Sequence, residues 1–142
     1  MPEPLRRLDD WRARLAAEMD RQRRDPFAWG KHDCAIGFAA GIVEALTGVD
    51  MARGFRGKYA SPRGALKLLK DEGADSISAF VAARLPGVHP AFANVGDIGV
   101  VASDGPLGEA LCMIDASGLV VMTEQGHGRR PRADLVAAFK VG

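Results

Sequence analysis

Trp29-Gly30-Lys31-His32-Asp33-Cys34, followed by an apolar run from Ala35 to Leu46, is the stretch that decides the fold of this 142-residue chain. Asp33 is a favourable N-cap, because its carboxylate can accept hydrogen bonds from the free N–H groups of the first helical turn. Cys34 is then predicted at the first helical position, where the helix dipole favours a thiolate. The following run is apolar on every side except at Glu44, a pattern typical of a buried helix. The stretch therefore predicts a buried helix that begins with a cysteine.

The remaining pattern places helices first and strands last. Apolar residues at helical spacing predict an amphipathic helix at about 5–24, which Asp25-Pro26 ends. After Pro90, short β-rich runs are separated by turn residues and predict strands at 98–102, 110–114 and 119–123. The segment 137–141 is compatible with a closing strand or with the end of a short helix. This order predicts an α+β fold in a single domain, residues 1–142, with N-terminal helices and the buried helix packed on a small antiparallel sheet.

Composition and charge indicate which partners and which cellular location to expect for this protein. The net charge is +1, and acidic residues alternate with the arginines near the start of the chain, which argues against a nucleic-acid partner. The apolar run is too short to span a membrane and the chain opens with no signal peptide, so a cytoplasmic location is expected. Cys34 and Cys112 are expected to be reduced thiols, with a disulfide between them as the minor alternative. No cofactor or metal motif is present in the sequence.

Three short motifs together resemble a known family. Trp29-Gly30 and Asp33-Cys34 lead into the buried helix, Gly96-Asp97 precedes the strand at 98–102, and a second strand follows at 110–114. This arrangement resembles the NlpC/P60-like branch of the papain-like cysteine peptidase superfamily, and in particular its small phage-tail and gene-transfer-agent proteins. The resemblance covers about residues 29–123. It implies a papain-like fold in which Cys34 occupies the position of the nucleophile.

One departure from that family bears directly on activity. The family has its catalytic histidine at the start of the second core strand, where this sequence reads Leu107-Gly108-Glu109-Ala110. A papain-type mechanism needs an imidazole to take the thiol proton. His127, between two glycines of a predicted loop, is a candidate base, and His32, two residues before the cysteine, is the alternative. His89 is expected to have a structural role or to be exposed.

Two hypotheses about function follow from the resemblance. The first is a degenerate or accessory papain-like domain of phage or prophage origin, which acts in tail or particle assembly and lacks the strand histidine. The alternative is an active thiol hydrolase, a peptidoglycan endopeptidase or amidase, that uses Cys34. The corresponding partners are other phage-tail proteins or a peptidoglycan peptide, and the protein would be cytoplasmic or incorporated into a phage-like particle.

The sequence also predicts roles for the loop 55–59, for Asp97 and for Cys112. The loop 55–59 mixes aromatic and basic residues, so it is a candidate recognition surface or, alternatively, a loop whose aromatic side chains cover the edge of the core. Asp97 is expected to shape the turn before its strand by accepting hydrogen bonds from nearby backbone N–H groups. Cys112 is expected to lie in the core.

Overall fold

Helices occupy the first half of the chain and strands the second half in the computed structural model, which describes residues 4–142. The α-helices are α1 (Trp11–Arg23), α2 (Ala40–Thr47), α3 (Pro62–Asp71) and α4 (Ile77–Ala82), and a π-helix (Cys34–Ala39) runs directly into α2. Two short 3₁₀ turns lie at Pro90–Phe92 and Arg132–Asp134. The strands are β1 (Gly87–Val88), β2 (Ile98–Ala102), β3 (Glu109–Asp115), β4 (Gly118–Thr123), β5 (Gly126–Arg130) and β6 (Leu135–Phe139).

The strands form one six-stranded antiparallel sheet in the order β1-β6-β2-β3-β4-β5. The α+β prediction is confirmed, and the three predicted core strands are present as β2, β3 and β4. The sheet is larger than the small one predicted from the sequence. The C-terminal segment forms β6, which lies between β1 and β2, and β5 lies at the opposite edge.

Each face of the sheet carries its own apolar cluster, because neighbouring residues of a strand point to opposite faces. On the helical side, Leu111 and Met113 of β3 pack with Phe38 and Ile42, both of which are fully buried. On the other side, Cys112 packs in a second cluster with other strand residues: Val101, Ile114, Leu119 and Val121. The buried helix predicted from the sequence therefore lies against one face of the sheet.

The first helix is shorter than the prediction of about 5–24, because the segment before Trp11 bonds to other parts of the fold. Leu8 donates its backbone N–H to the Leu46 carbonyl at 2.8 Å, at the end of α2. The Arg7 guanidinium donates to the carbonyl oxygens of Val95 and Val141, each at 2.8 Å. These long-range bonds replace the local bonds that would extend the helix.

Asp97 anchors the same region from within the core. Its carboxylate accepts hydrogen bonds from the backbone N–H groups of Asn94 and Val141 and from the Arg7 guanidinium. The expected bonding of Asp97 to backbone near its turn is thus present, and the carboxylate also holds both ends of the described chain together. Burial lowers the pKa of Arg7, and the charge of Asp97 partly offsets this effect.

Candidate functional site

The start of the π-helix is held by the Asp33 carboxylate. One of its oxygens accepts from the N–H groups of Ala35 and Ile36, at 3.1 and 2.8 Å, which is the N-cap bonding predicted from the sequence. The other oxygen accepts from the Gly30 N–H at 3.0 Å and from the Tyr59 hydroxyl. Four donors therefore fix the carboxylate, and with it the position of Cys34.

The loop 55–59 closes over the residues that precede Cys34. Gly57 donates its N–H to the Gly30 carbonyl at 2.8 Å, and a Cβ at Gly30, whose φ is +79°, would overlap the Tyr59 carbonyl. Phe55 packs edge-on against Phe80, with ring centroids 5.5 Å apart. The aromatic side chains of this loop therefore cover the core and support the cysteine loop, as the second alternative for this loop predicted.

Cys34 opens into a cleft of about 410 Å³ between the helix start and the ends of the strands. Its walls are mainly apolar and include an edge-on aromatic pair, Phe27 and Trp29, whose ring centroids are 5.1 Å apart. Carboxylates lie around its rim at Asp104, Glu109 and Glu124. The volume is within the range of pockets that bind small ligands.

The environment of the Cys34 thiol disfavours the thiolate. Burial raises the pKa of the thiol to about 12, hydrogen bonding from the Leu111 backbone partly offsets the rise, and the negative charge of Asp33 adds to it. The position at a helix start led to the opposite expectation. Desolvation against β3 and a neighbouring carboxylate outweigh the favourable end of the helix dipole.

Glu109 begins β3, where the family resembled by the sequence has its catalytic histidine. The Glu109 carboxylate accepts hydrogen bonds from the backbone N–H of Ser78 at 3.2 Å and from the Ser78 hydroxyl at 3.1 Å. These contacts orient it toward the start of α4, while it still lines the cleft. The two hydrogen bonds from Ser78 therefore fix the orientation of this side chain.

His127 lies in β5, so the prediction of a loop at this position is wrong. It pairs with Met122, and its ring packs edge-on against Phe38 with centroids 5.5 Å apart. Its Nε2 lies 3.2 Å from Oε1 of Gln22, whose Nε2 donates to the carbonyl oxygens of Gly37 and Phe38. Because the Gln22 nitrogen is the donor, its Oε1 accepts, and the network assigns the proton of the neutral ring to the Nε2 of His127.

The other ring nitrogen of His127, Nδ1, is buried without a hydrogen-bond partner among residues 4–142. Burial lowers the pKa of His127, and the charges of Arg23 and His32 lower it further. His127 is not among the described residues that line the Cys34 cleft. The lowered pKa favours the neutral ring, and the ring bonds to Gln22 of α1 rather than lining the Cys34 cleft.

The other two histidines also lie outside the cleft. His32 exchanges backbone hydrogen bonds with Ala28, and its ring packs against Gly37 so closely that a Cβ there would overlap it. His89 is exposed, and its Nδ1 accepts from the Ala91 N–H at 3.1 Å at a 3₁₀ turn. The candidate base His32 and the nucleophile candidate Cys34 thus face different surroundings although only Asp33 separates them.

The second cysteine is a core residue, as the sequence predicted. Cys112 is fully buried, and desolvation raises the pKa of its thiol to about 12. Cys34 and Cys112 are both free thiols. They belong to opposite faces of β3, since Cys34 packs with the helical cluster and Cys112 with the other one.

Comparison with known proteins places this architecture in a family. Residues 6–141 match the model described as Domain of unknown function (DUF6950). The chain belongs to the DUF6950 family. No curated protein and no solved structure matches the chain.

Two features of this DUF6950 site were not predicted from the sequence. The first is the π-helix itself, and the second is Gln22 of α1, whose side-chain nitrogen donates to the carbonyl oxygens of Gly37 and Phe38 in that helix. The sequence does contain a signal that could have identified Gln22. Gln22 is the one uncharged polar residue of α1, and it lies on the same helical face as Leu15 and Met19. Buried polar side chains on an apolar face are expected to bond across the packing interface.

Two structural features are absent from residues 4–142 of the DUF6950 chain. Within those residues, no group of three or more His, Cys, Asp and Glu side chains is placed to bind a metal ion. No helix in the same range is long and apolar enough to cross a membrane. Among the described residues that line the Cys34 cleft, the thiol is that of Cys34, and the charged groups are the Arg130 guanidinium and the carboxylates of Asp33, Asp104, Glu109 and Glu124.

Proposed function

We propose that this DUF6950 chain is a papain-like domain that functions by binding, as an accessory assembly component of a phage-like particle, rather than by hydrolysing amide bonds. The observation that carries the proposal is that none of the three histidines is among the described residues lining the Cys34 cleft. Papain-type hydrolysis requires an imidazole that takes the thiol proton and later returns it to the leaving amine.

The papain-like part of the proposal rests on the resemblance and on local architecture. A helix that begins with an N-capped cysteine packs on an antiparallel sheet, and Cys34 lines a cleft at the strand ends. The phage-like setting rests on the sequence resemblance alone. The family model matches nearly the whole chain and assigns it no activity.

The reactivity of Cys34 in the folded protein tests the non-catalytic part. We expect a Cys112→Ala variant, which retains Cys34 as the one thiol in the sequence, to react with iodoacetamide at neutral pH more slowly than free cysteine. The raised pKa of the thiol gives the physical reason. A Cys34→Ser variant in the same background gives the reagent blank, and unfolding in denaturant gives the reference for a fully exposed thiol. Reaction faster than that of free cysteine would contradict the proposal.

A particle-formation assay tests the assembly part. We expect a Cys34→Ser variant to support particle formation as well as the original sequence does, because serine preserves the size and local bonding of the position. Loss of particles with a folded variant would contradict a purely structural role for the thiol.

The alternative function is that of an active thiol hydrolase. The specific observation in its favour is that Cys34 lies at an N-capped helix start and is partly exposed to a cleft. Under this alternative, the Cys34→Ser variant would form particles but lose cell-wall lysis. Cleavage of a peptidoglycan peptide by the original sequence, abolished in that variant, would favour the hydrolase.

A further inference from the structure

The Cys34 cleft combines apolar walls with an excess of negative charge. Asp104 and Glu124 are exposed and Glu109 is half-buried, and within residues 4–142 none of the three forms a salt bridge. The cation that lines the cleft, Arg130, is already paired with Asp134 at 2.9 Å and donates to the Ala102 carbonyl. The cleft therefore has acidic groups without a matching cation.

The remaining carboxylate, Asp33, is occupied by its four donors and adds no free acceptor to the cleft. Glu109 differs, because Ser78 engages it from the side of α4 only. A carboxylate has about four lone-pair positions, so Glu109 retains acceptor capacity for a ligand. Ser78 also fixes its rotamer, which reduces the entropy that a ligand contact would otherwise cost.

The aromatic part of the cleft suits the same kind of ligand. Trp29 and Phe27 are partly exposed and form adjacent aromatic surfaces. The faces of aromatic rings attract guanidinium and ammonium groups, and long basic side chains also bury their aliphatic stems on apolar walls.

The protein already holds one of its own arginines in this way. The Arg84 guanidinium lies 3.6 Å from the centroid of the Phe80 ring and 5.3 Å from that of Phe55. It also faces the Glu72 carboxylate at 3.8 Å. The cleft presents the same two elements, an aromatic surface and carboxylates, on a concave surface.

From this complementarity we infer that the cleft binds a basic segment of a partner protein, whose arginine or lysine side chain inserts beside Trp29 and pairs with Glu109 and Glu124. The inference rests on the proposed function, since it takes the cleft to be a binding site. It adds the chemical class of the partner segment. Glu109, which replaces the histidine of the family that the sequence resembles, becomes a recognition group.

A charge-matched peptide pair tests the inference on the full chain. The probes are an acetylated and amidated Ala-Arg-Ala tripeptide and its citrulline analogue, which is nearly isosteric but neutral, titrated by NMR. We expect the arginine peptide to bind about tenfold more tightly, because it adds a charge-assisted pair with a carboxylate. The preference should decrease as salt is added.

Three variants connect that preference to the named side chains. Glu109→Gln with Glu124→Gln should make the two peptides bind equally, and Glu124→Gln alone, at an exposed position outside the core, should reduce the preference. Asp71→Asn, an equal change of charge at the exposed end of α3, should leave it unchanged.

The outcomes of these experiments distinguish a failure of the inference from a failure of the proposed function. Equal binding of both peptides by the original sequence, or binding of neither at the solubility limit, would overturn the inference and leave the non-catalytic role intact. New amino termini in the arginine peptide after incubation would instead overturn the non-catalytic role. A preference that persists in the double variant would overturn the assignment of Glu109 and Glu124.

Discussion

The two ends of the π-helix have different surroundings. We call them the cysteine end, which begins at Cys34, and the histidine end, where Gln22 connects the helix to His127. At its start, Cys34 opens into a cleft with an acidic rim. One turn later, Gly37 and Phe38 give their carbonyl oxygens to Gln22, which also holds His127. The His127 imidazole, carried by β5, therefore reaches the π-helix only through Gln22, and it does not line the Cys34 cleft.

A papain-type site needs an imidazole beside the thiol as well as a cysteine at a helix start, and the two depend on different parts of the sequence. Helix capping depends on local sequence, and Asp33 supplies it here. The position of a base depends on which strand carries it and on what its ring contacts across the fold. Here α1 supplies the contact that keeps His127 bonded away from the cleft.

Gly37 packs against His32, which precedes the π-helix, and also bonds to Gln22, so its substitution should disturb both ends of this helix. A Cβ at Gly37 would overlap the ring and Cα of His32 and lie 2.8 Å from the Lys31 carbonyl oxygen. We expect Gly37→Ala to lower the free energy of unfolding by about 3 kcal/mol, the upper part of the range for overpacking. Denaturant titration measures the change.

Gly87→Ala is the matched control for this prediction. A Cβ at Gly87 has no neighbouring atom within 4 Å, so its effect should stay within about 0.5 kcal/mol. Equal stability of the two alanine variants would mean that the packing of His32 on the π-helix is not as tight as described.

Removal of the Asp33 carboxylate should mainly affect the cysteine end. Asp33→Ala leaves the N–H groups of Gly30, Ala35 and Ile36 and the Tyr59 hydroxyl without their acceptor. We expect a loss of about 2 to 3 kcal/mol in the free energy of unfolding, because a cap and several buried bonds are lost together.

The exposed cap of α3 offers a comparison for Asp33. Ser61 accepts a single bond from the Gly64 N–H at 3.1 Å, so Ser61→Ala should cost about 1 kcal/mol. If both cap variants lose the same amount, the additional bonds of Asp33 to Gly30 and Tyr59 contribute nothing to stability.

Gln22 tests the histidine end separately. Gln22→Leu removes the donor to Gly37 and Phe38 and the acceptor for His127, and it leaves these groups unsatisfied beneath α1. We expect a loss of about 2 kcal/mol in unfolding free energy. Gln125→Leu, at an exposed turn, should change stability by less than about 0.5 kcal/mol. A neutral effect of Gln22→Leu would contradict the proposed network.

Local patterns allowed the cysteine end to be predicted from the sequence, but not the histidine end. The N-cap at Asp33, the helix after it and the strands β2 to β4 follow from residue type and spacing over a few positions. Strand β5 reads Gly-His-Gly-Arg-Arg, without apolar alternation, and it forms because β4 pairs with it. The sequence thus predicted a loop where tertiary pairing makes a strand.

The direction of the pKa shift of Cys34 could not be predicted from the local sequence either. The start of a helix predicts a lowered thiol pKa, whereas β3 desolvates Cys34 and raises it. Similarly, the bonds of Glu109 to Ser78 join a strand to a helix 31 residues away in sequence. Both depend on how the sheet packs against the helices, which no short motif encodes.

The smallest expected effect is the pH dependence contributed by His127. Burial lowers the pKa of His127 in the folded state below its ordinary value of 6.5, so the unfolded chain takes up this proton first as the pH falls. The contribution of the ring to stability is therefore complete above about pH 6.5 and decreases as the pH falls through and below that value. Because the ring is partly exposed, the slope should stay well below the one-proton limit of about 1.4 kcal/mol per pH unit.

His127→Gln isolates this contribution, because a glutamine amide can still donate to Gln22 but does not titrate. We expect the difference in unfolding free energy between pH 7.5 and pH 5.5 to be smaller in His127→Gln than in the original sequence. An equal dependence on pH in the His127→Gln variant would show that the ring titrates as it does in water, and the contrast between the two ends of the π-helix would then rest on the thiol alone.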